Sequence, residues 1–129
     1  MIVVDTSVWI ANTRSQAVPA VQLLREPDVL NQILVGDIVM TEVLQGARNE
    51  NDAARLEADL RQFPIVAMGG DVLAVKAARH YRTMRAAGFT MKIADLYIGT
   101  FCIQHGHALL QCDADFQPMA RLCGLRLLS

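Results

Sequence analysis

Four acidic residues are spaced through the chain so that each falls at the margin of an apolar run. Asp5 directly follows Ile2-Val3-Val4, Glu42 lies two residues past Met40, and Asp113 lies three past Leu110. Asp95 opens the otherwise apolar segment 93–103, and Asp115 stands two residues beyond Asp113. Carboxylates gathered in one place repel one another and raise each other's pKa unless they share a cation. Oxygen donors of this kind suit Mg2+ or Mn2+, whereas zinc prefers His and Cys. Such a cation makes water more acidic and neutralises charge on a phosphodiester under attack. Each acid taken alone has a plainer reading, since Asp5 and Asp95 are placed to cap or charge a helix N-terminus. Capping does not call for strand ends, so the set of four points to an acidic metal site.

The elements that must hold these acids are short. Ile2-Val3-Val4 suits a buried strand, ended by the cap-favouring Asp5-Thr6-Ser7 and followed by a helix through Val8, Trp9, Ile10 and Ala11. A helix opens near Pro19. Gly36-Asp37 marks a turn, Ile38-Val39-Met40 reads as the next strand, and Thr41-Glu42 opens a helix. Asn51 is placed to cap a helix that Pro64 ends, with Ile65-Val66-Ala67 a third strand. A long helix runs from Gly69-Gly70-Asp71 to Gly88, and another covers residues 93–105. Ala108-Leu109-Leu110 is strand-like, residues 116–123 are helical, and residues 125–128 form a final edge strand. Strands alternating with helices predict an α/β fold, a short parallel sheet with helices on both faces. In such sheets ligands bind beyond the carboxyl ends of the strands, which is where these acids fall.

The 129 residues suffice for one domain, spanning 1–129. A hydrophobic share of 53% excludes intrinsic disorder and suggests apolar surface covered by another chain. Twelve basic and thirteen acidic side chains give a net charge of −1, so any nucleic-acid contact requires local clustering of charge. Residues 1–5 do not read as a signal peptide, no apolar run reaches the roughly 18 residues of a membrane span, and three scattered cysteines make no disulfide framework. The expectation is a soluble cytoplasmic chain.

Between residues 72 and 94 the chain carries Lys76, Arg79, Arg82, Arg85 and Lys92 and no acid. On a helix the first four form a drifting stripe that could track an RNA backbone, although a solvated helix face has the same composition. Arg14 and Arg48 read as surface arginines. His105-Gly106-His107 with Cys102 and Cys112 fits no common zinc module, and a thiolate at Cys112 is disfavoured beside acids. An aspartyl phosphatase also places an Asp after its first strand, but the haloacid-dehalogenase version needs a second Asp where Ser7 stands, and phosphotransfer leaves Glu42 and Asp113 without a role.

Four blocks together resemble the PIN-domain ribonucleases, and among them the VapC toxins of bacterial toxin–antitoxin pairs. They are residues 2–10 (Ile2-Val3-Val4-Asp5-Thr6-Ser7-Val8-Trp9-Ile10), Thr41-Glu42-Val43-Leu44-Gln45-Gly46, Asp95-Leu96-Tyr97-Ile98-Gly99, and residues 109–116 around Asp113-Ala114-Asp115-Phe116. They occur in the family's order and spacing and cover essentially the whole chain. The resemblance implies a PIN fold with Asp5, Glu42, Asp95 and Asp113 around Mg2+ or Mn2+, and Asp115 as an auxiliary acid. It implies that Thr6 or Ser7 bonds a metal-bound water or a phosphate oxygen. It also implies cleavage of structured RNA such as tRNA to 5′-phosphate and 3′-hydroxyl ends, a VapB-type antitoxin that covers the groove, and a homodimer. The chain departs from the pattern at Thr90-Met91-Lys92-Ile93-Ala94, at Gln111-Cys112, and at Gly99, where relatives usually carry Ala. A PIN-like module that binds RNA or protein without cutting is the alternative, and metal-dependent cleavage separates the two.

Overall fold

The computed structural model describes residues 1–128. Four strands, β1 (Ile2–Val4), β2 (Ile33–Gly36), β3 (Ile65–Val66) and β4 (Ala108–Leu110), form one sheet in the order β3-β2-β1-β4. All three pairings are parallel, with Val3 opposite Leu34 on one side and Leu109 on the other. Successive residues of a strand point to opposite faces. Every residue of β1 and β2 is buried, so the sheet is covered on both sides.

Among the described residues eight helices supply the cover: α1 (Thr6–Thr13), α2 (Pro19–Leu24), α3 (Pro27–Leu30), α4 (Asp37–Gln45), α5 (Glu50–Leu60), α6 (Asp71–Ala86), α7 (Ile93–His105) and α8 (Gln117–Cys123). A 3-10 turn, Ala114–Phe116, precedes α8. The helix expected over residues 116–123 is thus confined to α8, with the tighter turn in front of it. Pro19 and Pro27 sit in the first turns of α2 and α3, where a missing N–H costs nothing. α7 is buried along most of its length and ends at Gly106, whose φ of 69° is the left-handed conformation open to glycine.

The expected strand Ile38-Val39-Met40 is not a strand. Those residues belong to α4, and the second strand lies at Ile33–Gly36. Burial explains the difference, because Ile33, Leu34 and Val35 are all buried whereas only Val39 and Val43, one helical turn apart, are buried in α4. Asp37 starts that helix: its Oδ1 accepts from the Ile38 N–H at 2.9 Å and from the Met68 N–H at 3.0 Å, tying α4 to the segment after β3. Glu42 therefore sits inside a helix rather than at its opening. The cap of α5 is Asn49, not Asn51, with Asn49 Oδ1 accepting from the Asp52 N–H at 2.8 Å. The expected edge strand over residues 125–128 shrinks to one bridge, Leu127 to Leu109.

Gly99 has a packing reason. A Cβ there would collide with the sulfur of Met119, a fully buried residue of α8. Met119 thus fills the space a methyl would take. We expect Met119→Ala to cost about 2–5 kcal/mol, and at least about 0.5 kcal/mol less in a Gly99→Ala background, by urea unfolding of the four proteins of the cycle. Equal costs in both backgrounds would separate the two positions.

Candidate functional site

Read along the sheet, the order β3-β2-β1-β4 reverses direction between β1 and β4: the chain leaves β1 toward β2 and β3, then returns to the other side for β4. A crevice opens at the carboxyl ends of strands at such a reversal. Asp5 leaves the end of β1, and its N–H donates to the Leu110 carbonyl of β4 at 2.9 Å. Asp113 follows three residues past β4.

Asp5 is 3% exposed and caps α1. Its Oδ2 accepts from the Ser7 N–H at 3.0 Å and from the Ser7 hydroxyl at 2.6 Å. Its Oδ1 is buried with no hydrogen-bond partner. Burial raises its pKa most, the Ser7 bonds oppose that, and the charge of Glu42 adds to it. Glu42, half-buried in α4, accepts at Oε1 from the Thr6 hydroxyl at 2.7 Å. Asp95, in the first turn of α7 and 7% exposed, is pushed up to about 6, chiefly by burial and then by Asp5, with Glu42 and Asp113 adding and Lys92 opposing. Asp113 caps the 3-10 turn, accepting at Oδ1 from the Asp115 N–H at 2.9 Å, while its own N–H donates to Gln111 Oε1 at 2.6 Å.

Asp5, Glu42, Asp95 and Asp113 are therefore near enough to act on one another electrostatically. Among the described residues, however, no three His, Cys, Asp or Glu side chains form a group that would hold a metal by themselves. Asp115 is exposed beside them. Thr6 and Ser7, expected to face a water or a phosphate, are engaged within the protein. Ser7 Oγ also accepts from the Cys112 N–H at 3.3 Å, so this hydroxyl joins the segments that follow β1 and β4. Gln111 is buried and its amide supports the backbone of Asp113. Sequence reasoning marked it only as a departure from the family pattern, and its direct adjacency to the acid was the available signal.

The basic stripe divides. Lys92 precedes α7 by one residue and acts on Asp95. Arg82 lines a shallow apolar hollow with Tyr81, Tyr97 and Ile93, whereas Lys76 and Arg79 line a different one. Arg85 is exposed. Arg14 and Arg48 line a hollow with Arg55 and Asp52, where Arg48 and Arg55 pair with Asp52. A cleft of about 410 Å3 runs between α1, α2, α4 and α5, with Trp9, Leu24, Leu56, Leu60 and Phe63 on its walls. The histidines form an aromatic group: Phe101 and His105 lie 4.4 Å apart, and His105 stacks on His107 at 5.8 Å. Cys102 is buried and its thiol is pushed up to about 12.

A parallel sheet with acids crowded at its switch point defines a class of acid-centred α/β domains. The chain matches the PIN domain model over residues 2–122. It is 32% identical over 134 aligned positions, covering 100% of this chain and 98% of the relative, to the VapC ribonuclease Mb1587 of Mycobacterium bovis and to the ribonuclease VapC11 of Mycobacterium tuberculosis. Among solved structures it superposes on FitAB bound to a DNA fragment with a TM-score of 0.78 at 19% identity, covering 99% of this chain and 94% of the other. It superposes on VapBC2 of Rickettsia felis bound to promoter DNA with a TM-score of 0.74 at 16% identity, covering 98% and 97%. The chain belongs to the PIN-domain family, and within it to the VapC ribonucleases.

The raised pKa of Asp95 fixes the sign of a stability effect. Its folded value, about 6, lies above the ordinary 3.8, so the native state binds the proton more tightly and stability falls as pH rises from about 4 to 6. The penalty is fully present at neutral pH. Asp95→Asn removes it, and we expect that variant in EDTA to be more stable than the parent at pH 7.5 by on the order of 1–2 kcal/mol, with the gap closing by pH 4, in urea unfolding across that range.

Proposed function

We propose that this protein is a divalent-metal-dependent endoribonuclease and the toxin of a toxin–antitoxin pair. The observation that carries the reading is the raised pKa of a buried Asp95 under the charges of Asp5, Glu42 and Asp113. It is supported by membership among the VapC ribonucleases.

An all-oxygen donor set with a buried, unpartnered Asp5 Oδ1 fits a hard cation such as Mg2+ or Mn2+. Mg2+ is commonly held by one or two carboxylates with water completing its shell, which accords with four acids that do not close a site by themselves. Asp5, Glu42, Asp95 and Asp113 would hold it, with Asp115 auxiliary at the rim. When bound, the cation supplies charge neutralisation at the phosphate and acidity to water. The protein's own residues do the rest. Ser7 fixes the Asp5 carboxylate through two hydrogen bonds, leaving Oδ1 directed elsewhere, and Thr6 fixes Glu42. A carboxylate of this cluster takes the proton of the attacking water. Water oxygen bonds to phosphorus as the bond to the 3′ oxygen breaks, leaving 5′-phosphate and 3′-hydroxyl ends. In this reading Lys92, just before α7, and Arg82 of α6 meet the RNA backbone, with Arg85 further along α6.

The chain also superposes on a toxin–antitoxin complex from Klebsiella pneumoniae with a TM-score of 0.69, which supports a VapB-type antitoxin as the partner here. Exposed Val72, Val75 and Ile93 offer apolar surface for a homodimer. No helix among the described residues is long and apolar enough to cross a membrane.

The test is incubation of the purified protein with total RNA in Mg2+, Mn2+ or EDTA beside Asp5→Asn and Asp95→Asn. Discrete metal-dependent cuts are expected, reduced at least about a hundredfold in both variants. Unimpaired cutting by both variants would overturn the site, and RNA bound but uncut under every metal would favour the binding module. Thr6→Val, which frees Glu42 without removing a carboxylate, should lower kcat about tenfold and leave the RNA Kd unchanged, as read by single-turnover cleavage beside filter binding.

A further inference from the structure

Helices α6 and α7 form a hairpin with two separate hollows. One carries Arg82; the other, of about 290 Å3, is lined by Lys76, Arg79 and His80 from α6 and by Thr100, Ile103 and Gln104 from α7. None of the acids at the sheet edge lines the second hollow. Gln104 lies nine residues beyond Asp95, about 13.5 Å along the helix.

Its floor is chemically unfinished. Thr100 is fully buried, and its hydroxyl has no hydrogen-bond partner. A threonine within a helix ordinarily bonds the carbonyl one turn back, and a buried hydroxyl left unpaired costs about 1–3 kcal/mol. Gln104 Oε1 is likewise buried and unpartnered, an acceptor that rotation of the amide exchanges for an N–H donor. Lys76 and Arg79 make no ion pair among the described residues. Burial, followed by the charges of Arg79 and Lys76, lowers the pKa of His80, as expected where the local potential is positive. Two cations without an ion pair thus share one hollow with an unpaired hydroxyl and with an amide that turns donor on rotation.

We propose that this hollow is a binding site for a phosphate group, held by the charges of Lys76 and Arg79 and by hydrogen bonds from Thr100 and Gln104. A tetrahedral oxyanion offers several acceptors to converging donors, and arginine meets it with paired N–H groups. The phosphate is either free or a backbone phosphodiester of RNA. Only the RNA source rests on the proposed nuclease reading.

The probe is inorganic phosphate, titrated into 15N-labelled protein in EDTA at constant ionic strength, with chloride as control. The expected result is saturable shifts of the Thr100 and Gln104 amides and of the His80 ring in the millimolar range. Lys76→Gln with Arg79→Gln should abolish saturation. Thr100→Val, which keeps the branched shape and loses the hydroxyl, should weaken phosphate about tenfold. The same variant should raise Tm in phosphate-free buffer, a combination that a purely structural threonine would not give. A short single-stranded RNA added in EDTA separates the sources: displacement of phosphate identifies a backbone site, and undisturbed saturation a free-phosphate site. Absence of saturable shifts, or affinity equal to the parent's in both Thr100→Val and the double variant, would overturn the proposal. Neither result depends on cleavage, so Asp5→Asn tests the nuclease independently.

Discussion

Repulsion between carboxylates is the constraint around which this molecule is arranged. Asp5, Glu42, Asp95 and Asp113 come from four separate segments, and their charges act together on a buried Asp95. Left alone, such a group would drive its elements apart. The cost is borne by what lies beneath: a sheet whose two inner strands are buried throughout, and a helix α7 buried over most of its length. The apolar core fixes where each acid stands, and small polar contacts then fix how each carboxylate is turned.

Those contacts are economical. The Ser7 hydroxyl donates to Asp5, the cap of α1, and accepts from the Cys112 N–H, so one hydroxyl aligns the ends of β1 and β4. Thr6, its neighbour, reaches Glu42 on α4. Gln111 supports the backbone at Asp113 from below. An Asp-Thr-Ser run after the first strand therefore orients both Asp5 and Glu42. Interactions that would otherwise count as helix capping do the positioning.

Much of this was legible in the sequence, for physical reasons that differ from element to element. β1 and β4 are apolar runs bounded by cap-forming or turn-forming residues, and α7 is a largely apolar stretch closed by glycine, so each declares itself. The second strand did not. Ile33-Leu34-Val35 and Ile38-Val39-Met40 are equally apolar, and only the three-dimensional demand for burial on both faces assigns the first to the sheet and the second to a helix. The acids were found because strand ends are a place chemistry favours. Their mutual approach, and the diversion of the Thr6 and Ser7 hydroxyls to neighbouring carboxylates, depend on side-chain directions that spacing does not encode. The basic stripe was visible as composition, but helical rotation of roughly 60° between residues three apart divides it between two hollows of the α6–α7 pair.

The central position of β1 also has a temporal side. Its neighbour β4 is joined to it across more than a hundred intervening residues, and the Asp5 N–H finds its carbonyl only at Leu110. At ribosomal rates of about 5–20 residues per second, Asp5 waits on the order of 5–20 s before Asp113 has been made. Over that interval a growing chain holds an incomplete set of acids. Assembly of the four-acid cluster is thereby deferred until the segment after β4 has been made, whatever the earlier helices have already become.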